Sequence, residues 1–263
     1  YGVARIMNLA NGEVLVFGAL ASFWLYTTSQ ISPLLTIILV IPISFLGNWL
    51  IYRFLLTPLV KRSKTQGHLE VDSILATFGM SFILIGIMVS IEGGFFAYNY
   101  LSMPISIIGS TTSLNRLLAF IIAVFIGSML YLWLNHTRSG VAVRAISVST
   151  EASGLVGINV PRVSALAFAL GGVVTAVGGA LISTFITLDA SIGVVFTLKA
   201  LIIVIMGGVG DIRGAIVAAV ILGVVETTVA TLIDPGLTLA AAYFIFLLIL
   251  LFRPQGLFGR RTL

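Results

Sequence analysis

The stretch Val163–Leu188, VSALAFALGGVVTAVGGALISTFITL, decides the fold of this chain. It contains no charged side chain, and it exceeds the roughly 20 residues that an α-helix needs to cross a bilayer core. A backbone in lipid must satisfy its own hydrogen bonds, so the stretch predicts a transmembrane helix. Comparable uncharged runs occupy Val14–Ile31, Pro33–Tyr52, Ser73–Ile91 and Leu117–Leu134.

Three further apolar runs are less regular. Ala215–Ile233 contains Glu226, Leu237–Phe252 is short, and Ile192–Met206 is interrupted by Lys199. We predict about seven or eight transmembrane helices. We expect the run around Lys199 to be a broken or re-entrant segment.

The composition supports one membrane-embedded class for the whole chain. Hydrophobic residues make up 59% and charged residues 9% of the sequence, and the mean hydropathy is +1.17, beyond what a soluble domain buries. The alternating pattern of barrel strands is missing. We therefore predict an all-α fold in a single transmembrane domain, residues 1–263. The chain has no cysteine, and we predict no metal or other cofactor.

The basic residues predict the orientation, because Lys and Arg are retained on the cytoplasmic side. The segments that are expected to lie outside are acidic or neutral. The net charge of +5 thus reflects topology and contact with lipid headgroups. No basic stripe with interleaved aromatic residues predicts a nucleic-acid partner. The cytoplasmic groups are Arg53, Lys61, Arg62 and Lys64; Arg138, Arg144 and Arg162; Arg213; and Arg253, Arg260 and Arg261 at a cytoplasmic C-terminus.

The N-terminus carries no signal-peptide pattern. It opens at Tyr1 without a basic region followed by an apolar core. Because the polar stretch Asn8–Glu13 precedes a complete span, we expect a further helix to lie before the first residue.

One long polar interval, Thr137–Arg162, separates the apolar runs. We predict a short helix over Gly140–Val148 and a second from Ser149 or Thr150, where a hydroxyl caps the first turn and Glu151 favours the positive helix end. Small residues follow and permit close approach of another subunit. An ordinary surface loop is the other interpretation. The small residues are Ala152, Ser153, Gly154 and Gly157.

The same interval carries a known pattern. Glu151-Ala152-Ser153, three residues and Gly157 resemble the EAA-type loop of bacterial ABC importer permeases, whose short cytoplasmic helix seats in the ATPase subunit. The sequence departs at Ser153, where alanine is usual. The resemblance implies that this loop, with Arg144 beside it, couples to an ATPase.

Three other segments resemble the branched-chain amino acid ABC permeases, a group that also serves urea and short amides. The resemblance covers nearly the whole chain. Asn11 departs from the family, which usually has histidine there. The segments are Arg5–Glu13 (RIMNLANGE), Lys199-Ala200 followed by Gly207–Ala215 (GGVGDIRGA), and Arg253–Gly259 (RPQGLFG).

The resemblance implies a non-catalytic permease subunit in the bacterial inner membrane. No GxxxxGK[ST] phosphate loop occurs, so separate ATP-binding subunits are implied. A second related permease and an extracytoplasmic binding protein are implied as well, with a branched-chain or other neutral amino acid, urea or an amide as substrate. A motor-independent channel or carrier and a structural scaffold are the alternative classes.

Polar residues inside the spans are the candidates for the pathway. Asn8, Asn11 and Glu13 cluster where a span begins and are the leading candidates. Glu226 has two interpretations: it lines the pathway, or it bonds to Thr227, Thr228 or a neighbouring helix. Lys199 also has two interpretations: it extends to the outer surface, or it meets a substrate carboxylate.

The glycines Gly207, Gly208 and Gly210 also have two interpretations. They break a helix at membrane depth and form part of a gate, or they form a tight cytoplasmic turn.

Small residues also predict how the helices pack. Faces of small residues should be buried in protein, since close backbone contact drives helix association in lipid. They pack within the chain or form the seam of a dimer. These faces are Gly172, Ala176 and Ala180 on one helix, and Gly214 with Ala218 and Ala219 with Gly223 on another.

Overall fold

The computed structural model describes residues 6–63, 66–107 and 110–259. The chain is built of helices, which confirms the all-α class. Arg5, Lys64, Arg260 and Arg261, which entered the sequence predictions, lie outside the described residues. The helices are α1 (Asn11–Ser29), α2 (Pro33–Ile51), α3 (Thr57–Arg62), α4 (Gln66–Ile91), α5 (Leu114–His136), α6 (Arg138–Val148), α7 (Thr150–Leu155), α8 (Val160–Ile182), α9 (Gly193–Gly207), α10 (Ile212–Leu232) and α11 (Thr238–Phe252).

Six helical stretches in the described part of the chain are long and apolar enough to cross a bilayer. α1 has 19 residues but is not among the six, and polar residues stand at both of its ends. The predicted count of seven or eight spans is therefore approximate. The six stretches are Pro33–Arg62, Gly67–Ile91, Leu114–His136, Val160–Ile182, Ile212–Leu232 and Pro235–Phe252.

The stretch Pro33–Arg62 is continuous although Pro58 lies inside it. Proline lacks an N–H, and its ring collides with the carbonyl four residues earlier. The backbone widens into a π-helical turn, Tyr52–Leu56, just before it. The Thr57 hydroxyl donates to the Tyr52 carbonyl (3.0 Å), so the helix passes the proline without ending.

Of the two forms predicted for the run around Lys199, a break at this residue is wrong, and a re-entrant segment stays a prediction. α9 runs unbroken through this residue, because the charged side chain has a partner within the protein, described below. The irregular backbone lies earlier, in residues 183–192, which join α8 to α9 without a helix. α9 has only 15 residues, fewer than a full crossing needs.

The described chain divides into two compact units, residues 6–196 and 197–259. We call them the N-terminal and C-terminal units. The single domain predicted from the sequence stays a prediction.

The N-terminal unit is centred on α8, whose small residues let other helices approach closely. At Gly18 of α1 a Cβ atom would collide with the backbone of Ala176, and at Gly172 it would collide with the Asn48 side chain of α2. Gly172, Ala176 and Ala180 are all buried, which confirms the prediction for this face. Van der Waals contact between helices replaces the hydrophobic drive that lipid does not supply.

Contacts along α1 and α8 show that the two helices run in the same direction. Ile6, before α1, packs with Ala165 near the start of α8. Gly18 meets α8 at Ala176. Ser22 is linked through the Tyr98 hydroxyl to Ser183, just beyond the end of α8.

The loop between α4 and α5 contains a feature that sequence analysis missed, a short antiparallel hairpin. Strand β1 (Pro104–Ile107) pairs with β2 (Ser110–Ser113), with Pro104 opposite Ser113. Tyr98, in the same loop, lies 2.9 Å from Ser22 and 2.9 Å from Ser183. Burial raises the pKa of the Tyr98 hydroxyl, and this hydroxyl links the two serines.

The C-terminal unit packs the rest of α9 against α10 and α11. Its core contains Ile202, Met206, Ala218, Leu222 and Ala242. Gly214 and Ala218 of α10 are buried, as predicted, because the backbones of Gly207 and Gly214 touch. Ala219 and Gly223 are both exposed, so packing within this chain is wrong for them, and a dimer seam stays a prediction. They lie on the face of α10 away from that core.

Candidate functional site

The polar interval folds into the two short helices that the sequence predicts, α6 and α7. The Thr137 hydroxyl accepts a hydrogen bond from the Gly140 amide (3.0 Å) at the start of α6. The Ser149 hydroxyl accepts one from the Ala152 amide (3.2 Å) at the start of α7. A Cβ at Gly140 would collide with the α5 backbone at Trp133 and Leu134, so this glycine fixes the bend between α5 and α6.

Most predicted coupling residues are on the surface of this loop. Arg144, Glu151 and Ala152 are exposed. Gly157 is exposed too, and it ends the α7 turn at a positive φ of 83°, which glycine adopts without strain. Ser153 differs: it is buried, and its hydroxyl donates to the Ser149 carbonyl (2.7 Å). It stabilises α7 from beneath and does not form part of the outer surface.

Sequence analysis missed the apolar side chains of this loop. Leu155 is 90% exposed, Val156 76% and Val148 73%. A cluster of exposed aliphatic residues rimmed by polar ones is typical of an interaction surface. The sequence did contain a signal for them: Val148, Leu155 and Val156 are aliphatic residues within the polar interval, on either side of α7.

The glycine motif forms a tight turn between α9 and α10. Gly208 and Gly210 have φ values of 104° and 89°, and Asp211 begins α10 by accepting hydrogen bonds from the Arg213 and Gly214 amides (2.8 and 3.2 Å). This geometry matches the turn interpretation. A role in gating stays a prediction.

The C-terminal segment closes on this turn. Leu257 donates its amide to the Met206 carbonyl (2.8 Å), and Phe258 donates to the Gly207 carbonyl (3.1 Å). Gly256, at a φ of 82°, lies directly against Gly208. The glycine motif and the C-terminal segment, which sequence analysis treated separately, therefore pack against each other. The C-terminal segment supplies hydrogen-bond donors for the last carbonyl groups of α9.

The polar stretch before α1 is not helical, and side chains satisfy its backbone. The Thr77 hydroxyl accepts from the Leu9 amide (3.1 Å) and lies 3.2 Å from the Met7 carbonyl. Asn8 accepts from the Ala10 amide (3.0 Å) and donates to the Asn11 side chain (2.8 Å). Irregular backbone inside a membrane bundle requires such partners.

Glu13 lies in the first turn of α1 and is completely buried. Neither carboxylate oxygen has a hydrogen-bond partner among the described residues. A carboxylate within a membrane span costs on the order of 2.5–3.5 kcal/mol on insertion scales. The structure thus brings together Asn8, Asn11 and Glu13 at the start of α1, as predicted, but only the two asparagines bond to each other.

Glu226 pairs with Lys199. The Lys199 Nζ atom lies 2.9 Å from both carboxylate oxygens, and the two side chains are 25% and 21% exposed. Lys199 is thus paired within the protein; its extension to the outer surface and its contact with a substrate carboxylate stay predictions. Of the two interpretations of Glu226, the structure matches a bond to a neighbouring helix, and that helix is α9.

These features define a polytopic helical membrane protein with an exposed helical loop suited to docking. Its family follows from comparison with known proteins. The chain belongs to the family described as branched-chain amino acid transport system, permease component, which matches residues 1–253.

Several curated relatives are similar over nearly the whole chain. The high-affinity branched-chain amino acid transport system permease protein LivH of Salmonella typhimurium is 29% identical, across 99% of this chain and 88% of its own length. LivH of Escherichia coli is 28% identical over the same shares. BraD of Pseudomonas aeruginosa, with the same description, is 26% identical, again across 99% and 88%. No solved structure matches the chain.

Proposed function

We propose that this chain is the membrane-spanning permease subunit of an ATP-driven importer for branched-chain amino acids in the bacterial inner membrane. Membership of the permease family supports the transport role, and the names of LivH and BraD support the substrate class. ATP is hydrolysed by separate subunits. A second related permease completes the pathway, and an extracytoplasmic protein delivers the substrate.

The observation that carries the proposal is the exposed surface of α7. Glu151 provides a charge, Leu155 and Val156 provide apolar area, and Gly157 ends the helix sharply. Exposed aliphatic side chains beside a charged rim are typical of a site that another protein covers. An ATPase bound to α7 would move this helix when the ATPase closes on ATP. The movement would pass through α6 to α5 and α8.

The proposed orientation places this loop in the cytoplasm. Arg53 follows the end of α2, Arg138 follows the end of α5 and Arg162 lies at the start of α8. By the order of the predicted spans, these three helix ends belong to one side. By the retention of basic residues on the cytoplasmic side, the C-terminus at Arg253 lies there as well.

Variants of α7 test the docking surface. Glu151→Lys and Gly157→Val should each lower recovery of the ATPase with the purified permease about tenfold, the effect of losing roughly 1.4 kcal/mol at an interface hot spot. Valine is strained at the positive φ of Gly157, whereas asparagine tolerates it. Gly157→Asn should therefore recover more ATPase than Gly157→Val. Quantitative co-purification from membranes measures the effect.

A matched control is Glu70→Lys, which makes the same charge change at the start of α4, outside the α6–α7 loop. It should leave ATPase recovery unchanged. Unaltered recovery in both α7 variants would remove the docking surface. Uptake into liposomes that contain this chain alone, without any ATPase, would instead favour a channel or carrier.

A further inference from the structure

The Glu13 side chain is enclosed in the N-terminal unit, and none of the described residues compensates its carboxylate. It is 0% exposed, and both carboxylate oxygens lack a hydrogen bond to any described residue. Burying an unpaired acid destabilises a fold, and a polar group retained at that cost inside a membrane bundle marks a functional position.

Local capping does not account for this side chain. A glutamate in the first turn often reaches back to the amide of the capping residue, which here is Ala10. That amide already donates to Asn8 (3.0 Å), and Asn8 is tied to Asn11. The Ala10 amide therefore already has a hydrogen-bond acceptor, and the Glu13 carboxylate is not needed to cap α1.

Glu13 also lies well inside the bundle. Along the parallel pair of α1 and α8, Ile6 packs at Ala165 and Gly18 at Ala176. Glu13 comes between them in the chain, opposite the middle of the 23-residue α8. A site at this level is about as far from either membrane surface as the helix allows, the depth at which transporters bind substrates.

The starts of two helices meet at this residue. Gly193, the first residue of α9, lies so close to the backbone of Gly12 and Glu13 that a Cβ there would come within 2.9 Å of the Glu13 nitrogen. α9 is entered from the non-helical residues 183–192. In its first turn the Val195 and Phe196 amides donate to the Ile192 carbonyl (3.0 and 3.3 Å), and the Asp189 carboxylate accepts from the Ser191 and Ile192 amides (2.6 and 3.0 Å). An acid of this chain thus already occupies the entry to α9, and the uncompensated charge of Glu13 is one that a cationic group would complement.

We propose that Glu13 binds the α-ammonium group of an amino acid inside the permease. This inference rests on the proposed transport function and specifies how its site recognises a substrate. A buried carboxylate matches the ammonium group of an amino acid. Uncharged solutes such as urea or a short amide carry no such group. The bundle is closed around Glu13 here, and substrate reaches it when the helices part.

Chemical protection of the wild-type complex tests the proposal without any variant. Dicyclohexylcarbodiimide, an apolar reagent for carboxyl groups in membrane proteins, should modify Glu13 in the purified complex with its partner subunits, as measured by peptide mass spectrometry. Leucine should reduce this modification at least fivefold. N-acetyl-leucine, which lacks the ammonium group, should protect less than twofold. Leucine methyl ester, which keeps the ammonium and lacks the carboxylate, should protect about as well as leucine.

Transport by variants provides the second measurement. In proteoliposomes that hold the complete complex and its binding protein, Glu13→Gln should lower ATP-driven leucine uptake at least tenfold. ATP hydrolysis stimulated by the binding protein should stay within twofold, because the docking loop is intact. Glu13→Asp should keep part of the uptake. Glu70→Gln, which removes a carboxylate outside the bundle core, should have no effect.

The outcomes separate this inference from the proposed function. A wild-type complex that shows no ATP-driven uptake would overturn both. Normal uptake by the wild type together with equal uptake by Glu13→Gln, or with equal protection by leucine and N-acetyl-leucine, would overturn the role of Glu13 alone.

Discussion

Glu13 and Glu226 are both acidic residues within apolar helices, and their surroundings differ. Glu226, in the C-terminal unit, has Lys199 at 2.9 Å, and both side chains keep about a quarter of their surface exposed. Glu13, in the N-terminal unit, is fully enclosed and has no hydrogen-bond partner among the described residues. The same chemical group is thus compensated in one place and uncompensated in the other.

This difference distinguishes an acid with a structural role from one with a functional role. A paired acid is explained by its partner, because an ion pair in a poorly solvated place stabilises both charges. An enclosed acid without a partner stabilises nothing that the structure contains. The two residues are therefore expected to respond in opposite ways to neutralisation: Glu226 through stability, Glu13 through transport.

Removing the partner of Glu226 should have the largest effect on stability. Lys199→Met leaves an unpaired carboxylate between helices. Breaking a fully buried pair costs about 3–5 kcal/mol, and partial exposure reduces this to about 2 kcal/mol here. Unfolding in mixed micelles with increasing SDS measures the loss.

The double variant Lys199→Met with Glu226→Gln is the matched control, because it removes both charges. It should recover most of the lost stability. A double variant as unstable as Lys199→Met alone would mean that the pairing is not what holds the two residues, and the contrast with Glu13 would weaken.

A methyl group at Gly193 probes the close contact beside Glu13. Gly193→Ala places a Cβ atom 2.9 Å from the Glu13 nitrogen and the Gly12 carbonyl carbon, so backbone must move, at about 1–2 kcal/mol. Gly178→Ala is the control, because nothing lies within 4 Å of a Cβ there, and alanine favours helix by up to about 1 kcal/mol. Equal unfolding curves for the two variants would show that α9 does not begin against α1.

The sequence predicted what depends on hydropathy and local chemistry. The apolar run at Val163 gave α8, and Ser149 gave the start of α7, because helix periodicity and caps are local signals. The polar cluster at Asn8 was found for the same reason: amides and acids are conspicuous in a membrane-like sequence.

What the sequence could not predict depends on tertiary contacts. Lys199 was predicted to interrupt a helix because its partner, Glu226, is 27 residues away. A local sequence pattern contains no information about such a distant partner. The folding of Leu257 and Phe258 onto the α9 carbonyls joins two distant motifs. The burial of Ser153 beneath α7 and the exposure of Leu155 likewise depend on how the loop packs.

Neutralising Glu13 should have the smallest effect on stability, although its expected effect on transport is large. Glutamine has nearly the same shape as glutamate and carries no charge. Because the carboxylate has no hydrogen bond to lose, Glu13→Gln should change the free energy of unfolding by less than about 0.5 kcal/mol or raise it. Glu226→Gln, measured beside it, should lower stability because Lys199 loses its counter-charge. A loss of more than about 1 kcal/mol in Glu13→Gln would show that this carboxylate supports the fold, and the two acids would then belong to one structural class.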